Sequence, residues 1–168
     1  MHADSRAPAE IPAAVRLCLD CGLCCNGVLF DHVRLQPGDN RKALTARGLK
    51  IKRGGGFNQP CTALCGTLCQ LYAARPTRCR QFECRQYRLV TAGEISHEAA
   101  AARIAQVKGQ VAEVEKMLAH CGSGNVRKPL AQRYATALEL NPVAVGACDL
   151  SETMGRLQME LDEHFRPG

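Results

Sequence analysis

Nine of the eleven cysteines in this chain fall into two groups. Cys18, Cys21, Cys24 and Cys25 sit within eight residues as Cys-x2-Cys-x2-Cys-Cys; Cys61, Cys65, Cys69, Cys79 and Cys84 follow after a gap of 35 residues. Thiolate sulfur is a soft, strong ligand for zinc, copper(I) and iron–sulfur centres, and two-residue gaps let one turn of chain present several sulfurs to one centre. The pattern predicts a metal-binding cysteine cluster. A simple zinc ribbon needs two Cys-x2-Cys knuckles, and no second one follows. Cys18, Cys21 and Cys24 match the first three positions of the bacterial ferredoxin run, suited to three corners of a [4Fe–4S] cube; then Cys25 follows at once and Asn26 stands where that run has proline. Neighbouring side chains diverge, so Cys24 and Cys25 are expected to serve different metal atoms, or neighbouring irons of one polynuclear cluster.

Residues 1–16, rich in alanine and proline, read as a flexible N-terminal segment without the apolar stretch of a secretory signal. No apolar run approaches the roughly 18–20 residues of a membrane span. The expectation is a cytoplasmic chain, where thiols stay reduced and cysteine patterns mean metal or catalysis more often than disulfides. An odd cysteine count fits a complete disulfide framework poorly, and a Cys24–Cys25 bridge would strain the peptide between them. The net charge of +6 is uneven: residues 1–90 carry +8 and residues 91–168 carry −2. The basic residues are scattered and aromatic partners are few, which argues against nucleic acid. Metal ligands are deprotonated, so much of the positive charge can balance sulfur.

The elements that must position these sulfurs are short at first. Fifteen large aliphatic or phenylalanine residues between positions 18 and 88 make a thin core, of the kind that bound metal staples. Val33 and Leu35 suit a short strand, Asp39 a helix cap for a helix ending at Gly48, and Leu49 and Ile51, alternating with lysines, a half-buried strand. Gly54, Gly55 and Gly56 mark a turn; no Lys-Ser/Thr pair follows to make a phosphate loop. Pro76 opens a short helix carrying Cys79 and Cys84. From residue 97 the pattern changes. Ala100, Ile104, Val107, Val111, Val114 and Leu118 repeat at spacings of four and three, the seam of paired helices, ended by Gly122 and Gly124. A second helix runs from Pro129 to Leu140, before Asn141-Pro142. A third starts near Ser151, with Met154, Leu157, Leu161 and Phe165 on one face. The domains read as 17–90 for the cysteine cluster and 91–168 for the helical region.

The chain resembles the CxxCxxCC cysteine-cluster family of zinc- or iron-chelating proteins, one branch of which includes flagellin lysine-N-methylases. The likeness rests on the run Cys18 to Cys25 and on Pro60, Cys61, Cys69, Tyr72, Arg75, Pro76, Cys79, Arg80, Phe82 and Cys84 in that order, across residues 17–88. The resemblance implies Cys18, Cys21, Cys24, Cys25, Cys61, Cys69, Cys79 and Cys84 as the metal ligands. Arg75, Arg78 and Arg80 are expected beside them, lowering thiolate pKa, and Tyr72 and Phe82 are expected to pack. Cys65, Cys121 and Cys148 lie outside the pattern and read as small buried apolar residues; His32 reads as solvated. Asp20, Asp31 and Glu83 are near the ligands in sequence, with no further role assigned.

These readings converge on an α-rich α+β fold: a small metal-stapled cysteine domain with short strands, then a helical hairpin or three-helix tail. The expected function is binding of iron, as an iron–sulfur or polynuclear centre, or of zinc, through eight cysteines, with a redox or accessory role. The alternative is a structural zinc module whose helical tail or basic surface binds a partner, through another protein or self-association of the C-terminal helices. A methylating enzyme is the weaker reading, since no glycine-rich S-adenosylmethionine fingerprint is present. No catalytic residue is assigned.

Overall fold

The computed structural model describes residues 11–147 and 149–166. In chain order the elements are α1 (Ala13–Cys21), β1 (His32–Arg34), α2 (Arg41–Ala46), β2 (Gly56–Asn58), β3 (Leu64–Cys65), β4 (Leu68–Cys69), a 3-10 turn at Tyr72–Ala74, α3 (Thr77–Gln81), α4 (Arg85–Thr91), α5 (His97–His120), α6 (Leu130–Leu140), α7 (Pro142–Ala147) and α8 (Leu150–His164). Helices dominate, and the strands form two small antiparallel pairs, β1–β2 and β3–β4. This is the α-rich α+β fold expected, with a helical C-terminal region.

The larger core forms around α5. Ser96 caps it, its Oγ accepting the Ala99 N–H at 3.1 Å. All six residues of the four-and-three repeat are buried. They face α8, where Met154, Leu157 and Leu161 are buried along with Phe165 just beyond the helix. The seam is therefore satisfied within the chain, and each fully buried Val, Ile or Leu adds about 1.5–3 kcal/mol. Past Cys121 the chain closes α5 with two bonds, Gly122 N–H to the Ala119 carbonyl and Ser123 N–H to the Leu118 carbonyl, the paired closure of a Schellman end. α6 begins after Pro129 as expected. Pro142 does more than stop it: at the first position of α7, where no N–H is needed, it opens a further short helix that periodicity did not reveal.

The N-terminal end joins this core. Residues 13–16, expected to be loose, form the first turn of α1, because Ala14 and Leu17 bury an apolar edge; residues 1–10 lie outside the described residues. α1 packs on α4 and α5, bringing Leu17, Cys21, Leu23 and Leu29 into the same core as α5 and α8.

A second, smaller core holds Leu44, Leu49, Phe57, Ala63 and Leu71. Several expectations change here. Asn40, not Asp39, caps α2, its Oδ1 accepting the Ala43 N–H at 2.9 Å. Asp39 instead ties its own turn to the start of α3, accepting from the backbone N–H of Gln36 and Thr77 and from the Thr77 hydroxyl. Leu49 and Ile51 are buried and half-buried between exposed lysines, yet no strand forms there. Gly48, at φ 89°, ends α2 in the left-handed conformation; Gly48 and Leu49 donate to the Thr45 and Leu44 carbonyls. Leu49 thus sits beside Leu44 as the apolar contact of a Schellman end. The strand lies further on, at β2, where Val33 pairs with Phe57 and Arg34 with Gly56.

Candidate metal centre

Each sulfur enters the site from a definable piece of local structure. Cys18 and Cys21 lie one turn apart on α1 and share a face. Gly22 ends that helix at φ 73° and carries the chain round; a Cβ there would stand 3.3 Å from the Thr67 backbone in the β3–β4 turn, so the residue after Cys21 must be small as well as left-handed. Cys24 and Cys25 follow on the resulting turn, closed by Cys25 N–H to the Gly22 carbonyl. A strap at residues 59–61 clamps this turn: Gln59 Nε2 donates to the Cys24 carbonyl at 3.2 Å and the Cys61 N–H to the Cys25 carbonyl at 2.8 Å. Cys69 stands on β4 opposite Leu64. Cys79 lies on α3, which opens after Pro76 as expected. Cys84, expected on that same helix, is instead the cap of α4, its Sγ accepting the Tyr87 N–H at 3.4 Å; α3 breaks at Phe82, which turns to pack edge-on against Phe30 with centroids 4.8 Å apart.

The eight thiols feel one another. Burial pushes Cys18 up to about 12, helped by the neighbouring Cys84 and Cys21 sulfurs. Burial likewise lifts Cys79 to about 12, with Cys25, Cys61 and Cys69 adding to it, and Cys21 and Cys61 to about 11. The neighbouring Cys24 and Cys25 sulfurs act on each other: sharing one proton pushes Cys24 well up and leaves Cys25 the more acidic. The other seven thiols therefore hold their protons near neutral pH until a cation offsets their charge, the usual linkage between metal uptake and proton release.

One backbone amide, Tyr87 N–H, donates to a ligand sulfur, and others lie near by. The N–H groups of Leu23, Ala63, Leu71 and Gln86, each two residues on, approach Cys21, Cys61, Cys69 and Cys84 and favour their thiolate forms. Such amide-to-sulfur bonds are strongest to an ionised, metal-held thiolate. The donor set is all sulfur, which suits zinc or iron–sulfur chemistry and not hard cations. Among the described residues no three His, Cys, Asp or Glu side chains already stand close enough to hold an ion; what the fold supplies is the neighbourhood of sulfurs and its amides. The eight expected ligands are all free thiols.

Of the three expected arginines only Arg75 reaches the site. Stacked 3.9 Å over the Tyr72 ring and bonded to the Tyr72 carbonyl, it favours the thiolates of Cys18, Cys25, Cys69 and Cys79. Arg78 and Arg80 are exposed, and Arg80 turns toward Thr77. Two cations were missed: Lys108 on α5 beside Cys21, and Arg88 on α4 beside Cys84. Lys108 is 87 residues from Cys21 in the chain, and no local motif marks it. Cys65 is a correction: it is exposed, because it ends the two-residue β3 at an open hairpin instead of facing a core. Cys121 is buried among the helices as expected, and Cys148 lies outside the described residues. His32 is exposed on β1, and Asp20 and Glu83 are exposed while Asp31 is half-buried.

The sequence model of the CxxCxxCC family, described as a proposed zinc- or iron-chelating domain, matches residues 17–122. The chain belongs to this family of cysteine-rich, metal-chelating domains. The match reaches past the cysteine blocks through the whole of α5, the helix that backs Cys21. No curated protein matches the chain, and no solved structure does. No helix among the described residues is long and apolar enough to cross a membrane.

Proposed function

We propose that this protein holds iron, as an iron–sulfur or polynuclear centre, through Cys18, Cys21, Cys24, Cys25, Cys61, Cys69, Cys79 and Cys84, in the cytoplasm and with a redox or accessory task. Residues 17–90 form the metal-binding unit in this reading, and residues 91–168 the helical region behind it. The observation that carries it is the backbone around the sulfurs: the Tyr87 N–H donates to the Cys84 Sγ, and the amides of Leu23, Ala63 and Leu71 lie near Cys21, Cys61 and Cys69, contacts that strengthen when sulfur is ionised and metal-held. When bound, iron in a sulfur shell supplies one-electron chemistry whose potential follows hydrogen bonds to sulfur, local charge and solvent access. Arg75, Lys108 and Arg88 set that charge. The half-buried sulfurs limit water, and the contact between Cys24 and Cys25 favours a polynuclear arrangement over isolated ions.

A second reading has its own support. The smaller core contains only five buried apolar residues, so a purely structural zinc staple is a physical alternative. In that case Leu140 and Val143, 70% and 85% exposed at the α6–α7 corner, give the helical tail an apolar surface for a protein partner. Protein made with ample iron and purified without oxygen separates the two. Brown material containing iron and acid-labile sulfide supports the iron–sulfur reading; colourless protein with tightly held zinc supports the staple. Protein that retains neither metal overturns both.

A further inference from the structure

We infer that the eight cysteines are divided between two adjacent four-sulfur centres, Cys18, Cys21, Cys24 and Cys84 forming one and Cys25, Cys61, Cys69 and Cys79 the other, with the Cys24–Cys25 peptide as their shared wall. The inference rests on the eight-cysteine reading above and adds the assignment of each sulfur, for zinc or for iron–sulfur alike.

Packing draws the division first. Cys21, Cys24 and Cys84 all lie on the large core shared with α5 and α8, whereas Cys61, Cys69 and Cys79 all lie on the small core with Leu44, Phe57 and Leu71. Cys18 belongs with Cys21, one helical turn away, and α1 packs directly on α4, whose first turn Cys84 caps. Cys25 goes the other way, because its own carbonyl is bonded to the Cys61 N–H. The neighbour relations among the sulfurs follow the same line. Cys84 lies near Cys18, Cys21 and Cys24, Cys79 lies near Cys61 and Cys69, and Cys25, at the wall, neighbours members of both sets. The two sets meet at the consecutive residues Cys24 and Cys25, whose sulfurs act on each other, and Arg75 stands near members of both. Four thiolates complete the shell of one zinc ion or one iron–sulfur cluster, so neither centre needs a further ligand.

The division predicts which thiols a single substitution frees. Full-length C84S and C79S variants, loaded with iron and sulfide or with zinc, are alkylated under native conditions, and the modified cysteines are read by peptide mass spectrometry. C84S is expected to expose Cys18, Cys21 and Cys24 and to lose half of the bound metal, with Cys25, Cys61 and Cys69 still protected. C79S is expected to expose Cys25, Cys61 and Cys69 and leave the other set protected. If both variants free the same cysteines, or if the freed set straddles the two groups, the division is wrong. Should either variant lose its helical circular dichroism, the unmodified chain decides: native mass spectrometry is expected to count two centres per chain, and one overturns the inference. Failure of metal binding itself reads differently, since the unmodified, metal-treated chain would then leave all eight thiols open.

Discussion

Metal removal should unfold one part of this protein and spare another. The small core buries Leu44, Leu49, Phe57, Ala63 and Leu71. Four of these are large apolar side chains worth about 1.5–3 kcal/mol each, so their burial supplies roughly 6–12 kcal/mol. A single structural zinc contributes about 10–16 kcal/mol of apparent binding free energy, as much as that whole core or more. The large core buries nineteen residues, including six on α5 and four on α8, and includes one expected ligand, Cys21, with Cys24 and Cys84 packed against it. Hydrogen exchange followed by mass spectrometry, with and without a strong chelator under reducing conditions, reads both regions at once. With chelator, the amides of β1, β2 and α3 should lose protection, because Val33, Phe57 and Cys79 pack on the small core. Those of α5 and α8 around Val107, Val114 and Leu157 should keep theirs. If the chelated protein retains full protection in β1–β2, or if α5 and α8 open to the same extent, the account of metal as the small core's staple is wrong.

Further outcomes follow from single contacts. Arg133 is 4% exposed in its side chain and bonded to Glu115 at 2.8 Å and to the Ser123 carbonyl; Glu115→Gln should cost about 1–2 kcal/mol in urea unfolding, because the buried guanidinium loses its counter-charge while water still reaches the half-exposed partner. Gly56→Ala puts a Cβ 2.7 Å from the Val33 carbonyl oxygen across the β1–β2 pair, and the strands must part; thermal melting should show a loss of about 1–3 kcal/mol, and an unchanged midpoint would refute the contact. Burial raises the Asp39 carboxyl, but the N–H groups of Gln36 and Thr77, the Thr77 hydroxyl and nearby Arg80 outweigh it and hold the group below the usual carboxylate value. Its contribution is complete above the unfolded value near about 4 and is lost as the pH falls through the lower folded value. Urea midpoints of the native protein and of Asp39→Asn should therefore converge on acidification, and curves that stay parallel would contradict the assignment.

What could be read from the chain divides by distance. The α5 seam, the α8 stripe and the limits of α6 were legible because helical periodicity and proline are local signals, and burial confirms each position. The short elements were not. The alternation at Leu49 and Ile51 is real in burial, but it comes from a helix closing on itself, and the strand partner of Val33 lies at Phe57. Asp39 looks like a local cap in sequence and acts on Thr77, 38 residues away. The cysteine pattern announced a metal-chelating domain. It did not show that Cys84 leaves α3 to cap α4, that Cys65 faces solvent, or that Lys108 and Arg88 supply positive charge, since each depends on how distant segments pack.

The central claim is tested most directly by counting thiols on the intact chain. Metal-loaded protein, alkylated while folded and mapped by cysteine, should protect Cys18, Cys21, Cys24, Cys25, Cys61, Cys69, Cys79 and Cys84 and leave the exposed Cys65 reactive. If those eight react as fast as Cys65 with metal present, the site proposed here does not exist.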